Sequence, residues 1–286
     1  MYFMIKLCAF DLDGTLLAPG GILTDRTADA LRCLSERGIV PALISGRSPC
    51  YVGAFLLRAG VKGYVSGSNG SYIISPQDEV IYRNAFPPDL TAAITKILAE
   101  RGSVFAVQTR DAIIGNTDLK MALRDRFTSY CSMAAELGLN IIFPYCDLDI
   151  IGAPMDDVLK IAVTSDPVGI PECLSKLSEI FSDITTSLSG PTVGDVNLRG
   201  DNKGAALKRI ADDLGVLRDE ICCFGDYDND LSMFHEAGLS IAMGNSTPAV
   251  LAAADYITLN NTEDGVAEAI NHIILSTDHN KGGVNQ

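Results

Sequence analysis

Two aspartates lie one residue apart near the start of the chain, in Asp11-Leu12-Asp13-Gly14-Thr15-Leu16. They follow the apolar run Leu7-Cys8-Ala9, a pattern typical of a buried strand that ends in a polar turn. In an open parallel sheet, ligands bind beyond the carboxyl ends of the strands, so both acids are expected at the mouth of a site. Because adjacent carboxylates repel each other, keeping both ionised needs a cation, and oxygen ligands favour a hard one such as Mg²⁺.

A second polar turn follows the apolar run at residues 39–44, which is also typical of a buried strand. This turn contains Ser45, Gly46 and Arg47. Gly46 would let a ligand approach the backbone closely, because glycine has no Cβ atom. Arg47 is a possible donor to a distal part of an anionic substrate. The residue types in this turn therefore predict that it helps to bind an anion.

Two more groups suited to phosphate chemistry lie in the last third of the chain. Lys203 stands at a predicted helix start, where its charge and free backbone N–H groups both favour phosphate. The acid-rich segment Gly225-Asp226-Tyr227-Asp228-Asn229-Asp230 directly follows the apolar run that ends at Phe224. Each of the four loops thus supplies a different requirement of phosphoryl transfer.

Each of these groups also has a purely structural explanation. Asp and Gly are common in turns, and a serine such as Ser45 often caps a turn. A single lysine such as Lys203 is usually solvated, and acids at a helix start need no metal. Chemistry is favoured because all four loops are predicted at the same edge of one sheet.

The order of the elements predicts how these loops are positioned. Strands alternate with helices up to residue 67, residues 71–82 form a predicted hairpin, and alternation resumes from Asn202. In between, the predicted elements are mixed: helices at 90–101, 120–137 and 172–181, and strands near 104–109, 112–114, 158–164, 184–188 and 193–198. We therefore predict an α/β protein with a doubly wound, parallel-sheet (Rossmann-like) core at 1–84 and 200–286, and an inserted α+β domain at 85–199.

Composition excludes several classes of function. The chain has 286 residues and a formal charge of -14, which argues against a nucleic-acid or anionic-membrane surface. Its 8 cysteines show no Cys-x-x-Cys pair, so neither a zinc site nor a disulfide framework is predicted. The apolar start is too short for a signal peptide or a membrane span. We expect a reduced cytoplasmic protein.

At this point the motifs resemble those of a known family. In order, they match the four motifs of the haloacid dehalogenase-like hydrolase superfamily, and the resemblance covers nearly the whole chain. The chain is most similar to the Cof-type phosphatases, which carry a large α/β cap of the C2B type. Further similar signatures are Gly67-Ser68-Asn69-Gly70, Ala242-Met243-Gly244-Asn245 and Asn260-Asn261-Thr262-Glu263-Asp264-Gly265-Val266-Ala267. As a set these motifs are specific, although each alone is weak.

The resemblance implies roles for the residues that carry it. Asp11 would be the nucleophile and Asp13 the general acid and base, while Ser45 and Lys203 hold the phosphoryl group. Gly46, Arg47 and Asn229 would contact the substrate. The metal ligands for Mg²⁺ would come from Asp11, Asp13 through its backbone carbonyl, Asp226 and Asp230, the last either directly or by steadying Lys203.

Two departures from the family pattern concern the second half of the core. Tyr227 stands where a small residue is usual, so its ring either crowds the metal loop or touches the substrate. The connection at residues 198–202 looks shorter than usual, which leaves Lys208 as a competitor of Lys203, about one turn further along the predicted helix.

The resemblance predicts a Mg²⁺-dependent phosphatase of small phosphorylated metabolites, with sugar phosphates ahead of pyridoxal phosphate or a flavin mononucleotide. A phosphomutase would use the same loops, and a non-catalytic phosphometabolite-binding protein would keep affinity without turnover. Asp13 favours phosphate over halide, because a dehalogenase has no use for this proton donor. The cap would select the substrate, and Asn116, Asp147, Asp149 and Asp195 are candidates, each more simply explained as a solvated loop residue. Either a monomer or a homodimer is compatible with the sequence.

Overall fold

The computed structural model describes residues 4–110, 112–115, 135–136, 151–190 and 192–274. In chain order, the strands of these residues are β1 (Leu7–Phe10), β2 (Val40–Ile44), β3 (Tyr64–Gly67), β4 (Tyr72–Ile74), β5 (Val80–Arg83), β6 (Val104–Gln108), β7 (Ile113–Gly115), β8 (Lys160–Ser165), β9 (Ile184–Gly190), β10 (Val193–Leu198), β11 (Ile221–Gly225), β12 (Leu239–Ala242) and β13 (Tyr256–Ile257). The α-helices are α1 (Asp25–Glu36), α2 (Pro49–Ala59), α3 (Pro88–Glu100), α4 (Ile170–Ile180), α5 (Lys203–Leu214), α6 (Leu231–Glu236), α7 (Pro248–Ala253) and α8 (Gly265–Ala269).

The larger sheet has eight strands in the order β13-β12-β11-β1-β2-β3-β4-β5. The strands from β13 to β3 are parallel, and β4 and β5 add an antiparallel hairpin at one edge. Strand β1 lies between β11 and β2, so Phe10 is in register with both Phe224 and Leu43. Because these strands are parallel, the loops that follow them meet at one edge of the sheet. We call this sheet and its helices the core.

Local sequence signals explain where the helices begin. The side chain of Thr24 accepts a hydrogen bond from the backbone N–H of Thr27 and caps α1. Asn202 does the same for α5 by accepting from the N–H of Ala205 at 2.8 Å. Gly215, at φ +71°, ends α5 in the left-handed conformation. The cap at Asn202 places Lys203 in the first turn of α5.

The smaller sheet has five strands in the order β7-β6-β8-β10-β9, and its pairings are antiparallel. Helices α3 and α4 cover one face, where apolar residues form a separate buried cluster. Ile161 and Val163 of β8 point into this cluster, so Lys160 and Ala162 lie on the opposite face. We call this sheet together with α3 and α4 the insert.

The architecture confirms the predicted α/β fold with a parallel core sheet and a further α+β unit. The hairpin after β3 is also confirmed, and the predicted helices at 90–101 and 172–181 appear as α3 and α4. The predicted helix across 120–137 lies outside the described residues except for 135–136. The exact domain limits, 84/85 and 199/200, stay a prediction. In the described part of the chain, no helix is both long and apolar enough to cross a membrane.

Candidate active site

Asp11 follows β1 directly, and its backbone N–H bonds to the carbonyl of Phe224 at 3.2 Å. The rings of Phe10 and Phe224 stack beneath it with centroids 4.9 Å apart. This contact aligns the ends of β1 and β11, so Asp11 and Asp226 emerge side by side. Two acids 215 residues apart in the sequence therefore share one site because their strands are neighbours.

Lys203 lies between Asp11 and a third acid, Asp230. Its Nζ atom is 2.6 Å from Oδ1 of Asp11 and 2.6 Å from Oδ1 of Asp230. Burial alone would lower the pKa of Lys203, but the charges of Asp11 and Asp230 outweigh it and raise that pKa. Lys203 is therefore a permanently charged group at the carboxyl end of β1. Lys208, its competitor in the sequence, is exposed and pairs with Asp212 instead.

The carboxylates of Asp11, Asp226 and Asp230 each offer an oxygen, and these oxygens lie within 4.8 Å of one another. Burial, followed by the charge of Asp230, raises the pKa of Asp226 to about 7. Burial also raises the pKa of Asp11, and the attraction of Lys203 opposes this only partly. One lysine does not neutralise three buried acids, so the cluster has the charge and the all-oxygen donors that suit a hard divalent cation.

Two residues of the first loop hold Asp226 in place. The hydroxyl of Thr15 donates to its Oδ1 at 2.7 Å. Gly14 has φ +87°, and a Cβ atom there would lie 2.3 Å from Oδ2 of Asp226. Glycine is required at this position for both its left-handed backbone and its lack of a side chain.

Asp230 contributes mainly to the shape of its loop. Its Oδ2 accepts the backbone N–H groups of Asp226 and Tyr227 at 2.9 and 3.0 Å, and its Oδ1 accepts Lys203. With both oxygens occupied, Asp230 orients Asp226 and Lys203 from behind. The side chain of Tyr227 lines the cavity described below.

Asp13 stands apart from the buried cluster, with its side chain more than half exposed. Arg47 binds it with two hydrogen bonds, from Nε to Oδ2 at 2.7 Å and from Nη2 to Oδ1 at 2.5 Å. The predicted general acid and the predicted substrate-binding arginine are thus partners in this structure. The sequence did not indicate this pairing.

A cavity opens at this edge of the sheet, and its lining includes Ser45, Gly46 and Asn229 as well as Asp11 and Asp13. The Oγ atom of Ser45 accepts the backbone N–H of Arg47 at 3.2 Å. Oδ1 of Asn229 is buried and has no hydrogen-bond partner among the described residues, which leaves an acceptor for a bound group. All nine predicted site residues therefore lie around one opening or directly behind it.

A cavity of about 810 Å³ lies between these loops and the insert. The insert contributes a wall made of Ala106, Gln108, Ile113, Lys160, Ala162, Thr164, Ser189, Gly190 and Val193. Sequence reasoning missed these residues, although alternation along β8 indicates one face for Lys160, Ala162 and Thr164.

The structure contradicts one prediction, which concerns Asp195. Its explanation as a solvated loop residue is wrong, because it lies in β10, is fully buried and pairs with Lys160 at 2.8 Å. A charged residue is rarely buried without a partner, and here the partner comes from the neighbouring strand β8. The other candidates, Asn116, Asp147 and Asp149, lie outside the described residues.

Two asparagines from the later signatures tie down the loop after β1. Nδ2 of Asn245 donates to the carbonyl of Gly14 at 2.8 Å, and its Oδ1 accepts the N–H of Asn261 at 2.9 Å. Nδ2 of Asn261 donates to the carbonyl of Leu17 at 2.8 Å. These bonds fix the loop that carries Asp13.

The chain is similar over most of its length to several known proteins. The sequence model of the haloacid dehalogenase-like hydrolase family matches residues 8–270. The 5-amino-6-(5-phospho-D-ribitylamino)uracil phosphatase YcsE of Bacillus subtilis is 28% identical over 271 residues, covering 95% of this chain and 96% of that protein. The HMP-PP phosphatase of Cronobacter sakazakii is 28% identical over 272 residues, covering 94% and 96%. A solved structure of a HAD subclass IIB sugar phosphatase superposes with a TM-score of 0.78 at 25% identity, covering 93% of this chain and 98% of that one.

The chain belongs to the haloacid dehalogenase-like hydrolase family. This confirms the resemblance drawn from the motifs, including the Cof-type phosphatases. The predicted enzyme class, phosphoric monoester hydrolase, is confirmed as well.

Proposed function

We propose that the protein is a Mg²⁺-dependent phosphatase of small phosphorylated metabolites, with sugar phosphates as the leading class. One observation carries the proposal: Lys203 contacts Asp11 at 2.6 Å at the base of a cavity that the insert covers. A nucleophilic carboxylate needs a nearby positive charge before an anionic phosphoryl group can approach it.

Binding of the phosphoryl group would use groups from three loops. Lys203 supplies a charge-assisted donor, and the hydroxyl of Ser45 and the amide of Asn229 supply neutral hydrogen bonds. Because Lys203 is held by Asp11 and Asp230, it is positioned before the substrate arrives. Arg47, at the mouth, can turn from Asp13 toward a distal part of the substrate.

The reaction would proceed in two displacements. A carboxylate oxygen of Asp11 attacks phosphorus, the ester P–O bond breaks, and Asp13 gives a proton to the departing alkoxide. The product on the enzyme is an aspartyl phosphate. Asp13 then takes a proton from a water molecule, whose oxygen attacks phosphorus, and Asp11 is released together with inorganic phosphate.

The residues present fit the metal that the family implies. The carboxylates of Asp11 and Asp226 and the backbone carbonyl of Asp13 would hold Mg²⁺, and Asp230 would support them. When bound, Mg²⁺ would offset the charge of the phosphoryl oxygens. The raised pKa values of Asp11 and Asp226 show how poorly the chain alone stabilises their ionised forms.

The cavity supports a small substrate. Its volume of about 810 Å³ lies within the range of about 300–1,000 Å³ that is typical of small-molecule sites. The insert would keep bulk solvent out of the cavity, so that only a water molecule positioned beside Asp13 reaches the acyl phosphate. The related proteins named above include a sugar phosphatase and an enzyme named for a phosphoribityl compound, which supports a polyhydroxylated leaving group.

The test is release of inorganic phosphate from a panel of phosphorylated metabolites with Mg²⁺. We expect turnover that Asp11→Asn abolishes, whereas Asp212→Asn, an exposed acid paired with Lys208, serves as the matched control and retains it. Undiminished turnover in Asp11→Asn would contradict the proposal. Strict dependence on an added sugar bisphosphate would indicate a phosphomutase, and binding without turnover would indicate a phosphometabolite-binding protein. The cytoplasmic location and the monomeric or dimeric state stay predictions.

A further inference from the structure

A buried ion pair lies on the face of the insert that meets the core. Nζ of Lys160 is 2.8 Å from Oδ1 of Asp195, and the two side chains are 4% and 0% exposed. Lys160 opens β8 and Asp195 lies on the adjacent strand β10. Burying both charges is costly, so stability alone does not explain this pair.

The core holds the acid of this pair in place. Nδ2 of Asn69 donates to Oδ2 of Asp195 at 2.8 Å and to Oδ1 of Asn197 at 3.1 Å. The backbone N–H of Asn69 also donates to the carbonyl of Ser45 at 3.0 Å. Through these bonds, Asp195 is tied to the loop that carries the proposed phosphate ligand Ser45.

Lys160 faces the cavity, whereas Asp195 and Asn69 lie behind it. Lys160 is part of the cavity wall together with Gly46, and the other two residues are not. A Cβ atom on Gly46 would lie 3.2 Å from Nζ of Lys160 and 2.9 Å from Oδ1 of Asn69. The glycine therefore lets the ammonium approach the phosphate end of the cavity from the insert side.

The chemistry of the pair defines what it would bind. An ammonium group has three N–H donors, more than one carboxylate oxygen can accept. Because Asp195 already offsets the charge of Lys160, the pair favours an uncharged oxygen over a second phosphate group. The nearby wall residues Ala106 and Ala162 are small and leave room for a carbon chain.

We propose that Lys160, oriented by Asp195 and Asn69, binds a hydroxyl oxygen on the leaving group and so selects hydroxylated phosphate esters over plain alkyl phosphates. This inference rests on the proposed function, since it assumes that the phosphoryl group lies beside Asp11. Lys160 is then a specificity residue, and Asp195 and Asn69 are positioning residues.

The test measures binding without turnover, in the full chain carrying Asp11→Asn and with Mg²⁺ present. Two five-carbon probes, D-ribitol 5-phosphate and n-pentyl phosphate, differ in their hydroxyl groups, and calorimetry gives both Kd values. We expect the ribitol ester to bind at least about tenfold more tightly, as a charge-assisted hydrogen bond implies. Adding Lys160→Met should reduce the ratio of the two Kd values, pentyl phosphate over ribitol phosphate, to about two or less. The Kd of pentyl phosphate itself should change by less than about threefold.

Two further variants separate recognition from stability. Lys176→Met removes an exposed lysine of the insert that pairs with Glu179, and it should leave the ratio unchanged. Lys160→Met combined with Asp195→Asn leaves no unpaired buried acid, and it should lose the ratio as the single variant does. The inference would be overturned if the ratio of Kd values persists in both Lys160 variants. Equal binding of the two probes by the chain that carries only Asp11→Asn would overturn it as well.

The proposed function fails in a different way. If the unmodified chain discriminates between the probes but releases no phosphate from any ester, the phosphatase proposal is wrong and the role of Lys160 in recognition holds. If the chain that carries only Asp11→Asn binds neither probe nor inorganic phosphate, both proposals are overturned.

Discussion

Arg47 holds both carboxylate oxygens of Asp13, from Nε at 2.7 Å and from Nη2 at 2.5 Å. A bidentate guanidinium stabilises the ionised carboxylate, yet protonation of a leaving alkoxide requires the neutral acid. Before a substrate arrives, Arg47 therefore occupies both oxygens of Asp13. An anionic substrate that attracts Arg47 would release Asp13 for its proposed role as a proton donor.

The first prediction concerns this pair. In Arg47→Met, the alkaline limb of the pH profile of kcat/KM should move to higher pH, because the lost charge no longer favours the ionised carboxylate of Asp13. The shift should shrink in 0.5 M salt, since Asp13 is largely exposed and salt screens the pair. Arg58→Met removes an exposed arginine paired with Asp25 and is the control. An unchanged alkaline limb would show that Arg47 does not govern Asp13.

The second prediction concerns Lys203. Lys203→Met should lower kcat by about 10²–10³-fold, because it removes a preorganised charge beside the phosphoryl group. It should also lower the free energy of unfolding by about 3–5 kcal/mol, since Asp11 and Asp230 would be left buried without their cation. Phosphate release and thermal melting measure the two effects.

Lys208→Met is the matched control, because that lysine lies on the same helix but is exposed and pairs with Asp212. Its free energy of unfolding should change by less than about 0.5 kcal/mol. Equal losses of activity in the two variants would argue that Lys203 has no special role.

The third prediction concerns pH and metal binding at Asp226. Burial and the charge of Asp230 raise the pKa of Asp226 in the folded chain to about 7, from an ordinary value of about 3.9. Its protonation therefore stabilises the metal-free fold below about pH 4, and this stabilisation is lost as pH rises through about 7. Mg²⁺ binds the ionised carboxylate, so the increase in Tm on adding Mg²⁺ should be larger at pH 8 than at pH 5.5 by several degrees.

The control for this effect is Asp226→Asn, which has nearly the same shape but does not titrate. It should show a small increase in Tm with Mg²⁺ and little change of that increase between the two pH values. A Mg²⁺ effect that is equally large at pH 5.5 and pH 8 in the unmodified chain would contradict the assignment of Asp226 as a ligand.

The fourth prediction concerns Gly14. In Gly14→Ala the new Cβ atom would lie 2.3 Å from Oδ2 of Asp226, so the carboxylate must move and Mg²⁺ affinity should fall by more than about tenfold. Gly38→Ala is a matched control, since Gly38 also has a positive φ, +74°, but nothing within 4 Å of the added atom. In both variants the free energy of unfolding should fall by about 1–2 kcal/mol, because alanine is less stable than glycine in the left-handed conformation. A titration of activity with Mg²⁺ should separate them, and equal Mg²⁺ affinities would contradict the steric role of Gly14.

The sequence by itself determined the core and the family. Each of Asp11, Ser45 and Asp226 follows a short apolar run, and apolar runs of this kind are buried parallel strands whose carboxyl ends meet at one edge. That rule needs no contact information, so the fold class and the juxtaposition of the four loops could be predicted. The sequence left Lys208 as a competitor of Lys203, and only the structure decided between them, because Asn202 caps α5 just before Lys203 and Lys208 is exposed.

The tertiary structure alone decided the contacts between side chains of distant segments. The bidentate bond between Arg47 and Asp13, and the burial of Asp195 against Lys160 and Asn69, depend on rotamers and on how the insert meets the core. No local pattern encodes them, because a charged residue in a strand is compatible with either solvent or a buried partner until the neighbouring strand is known. The position of the four loops follows from local sequence order, whereas the wall that the insert contributes to the cavity follows from packing.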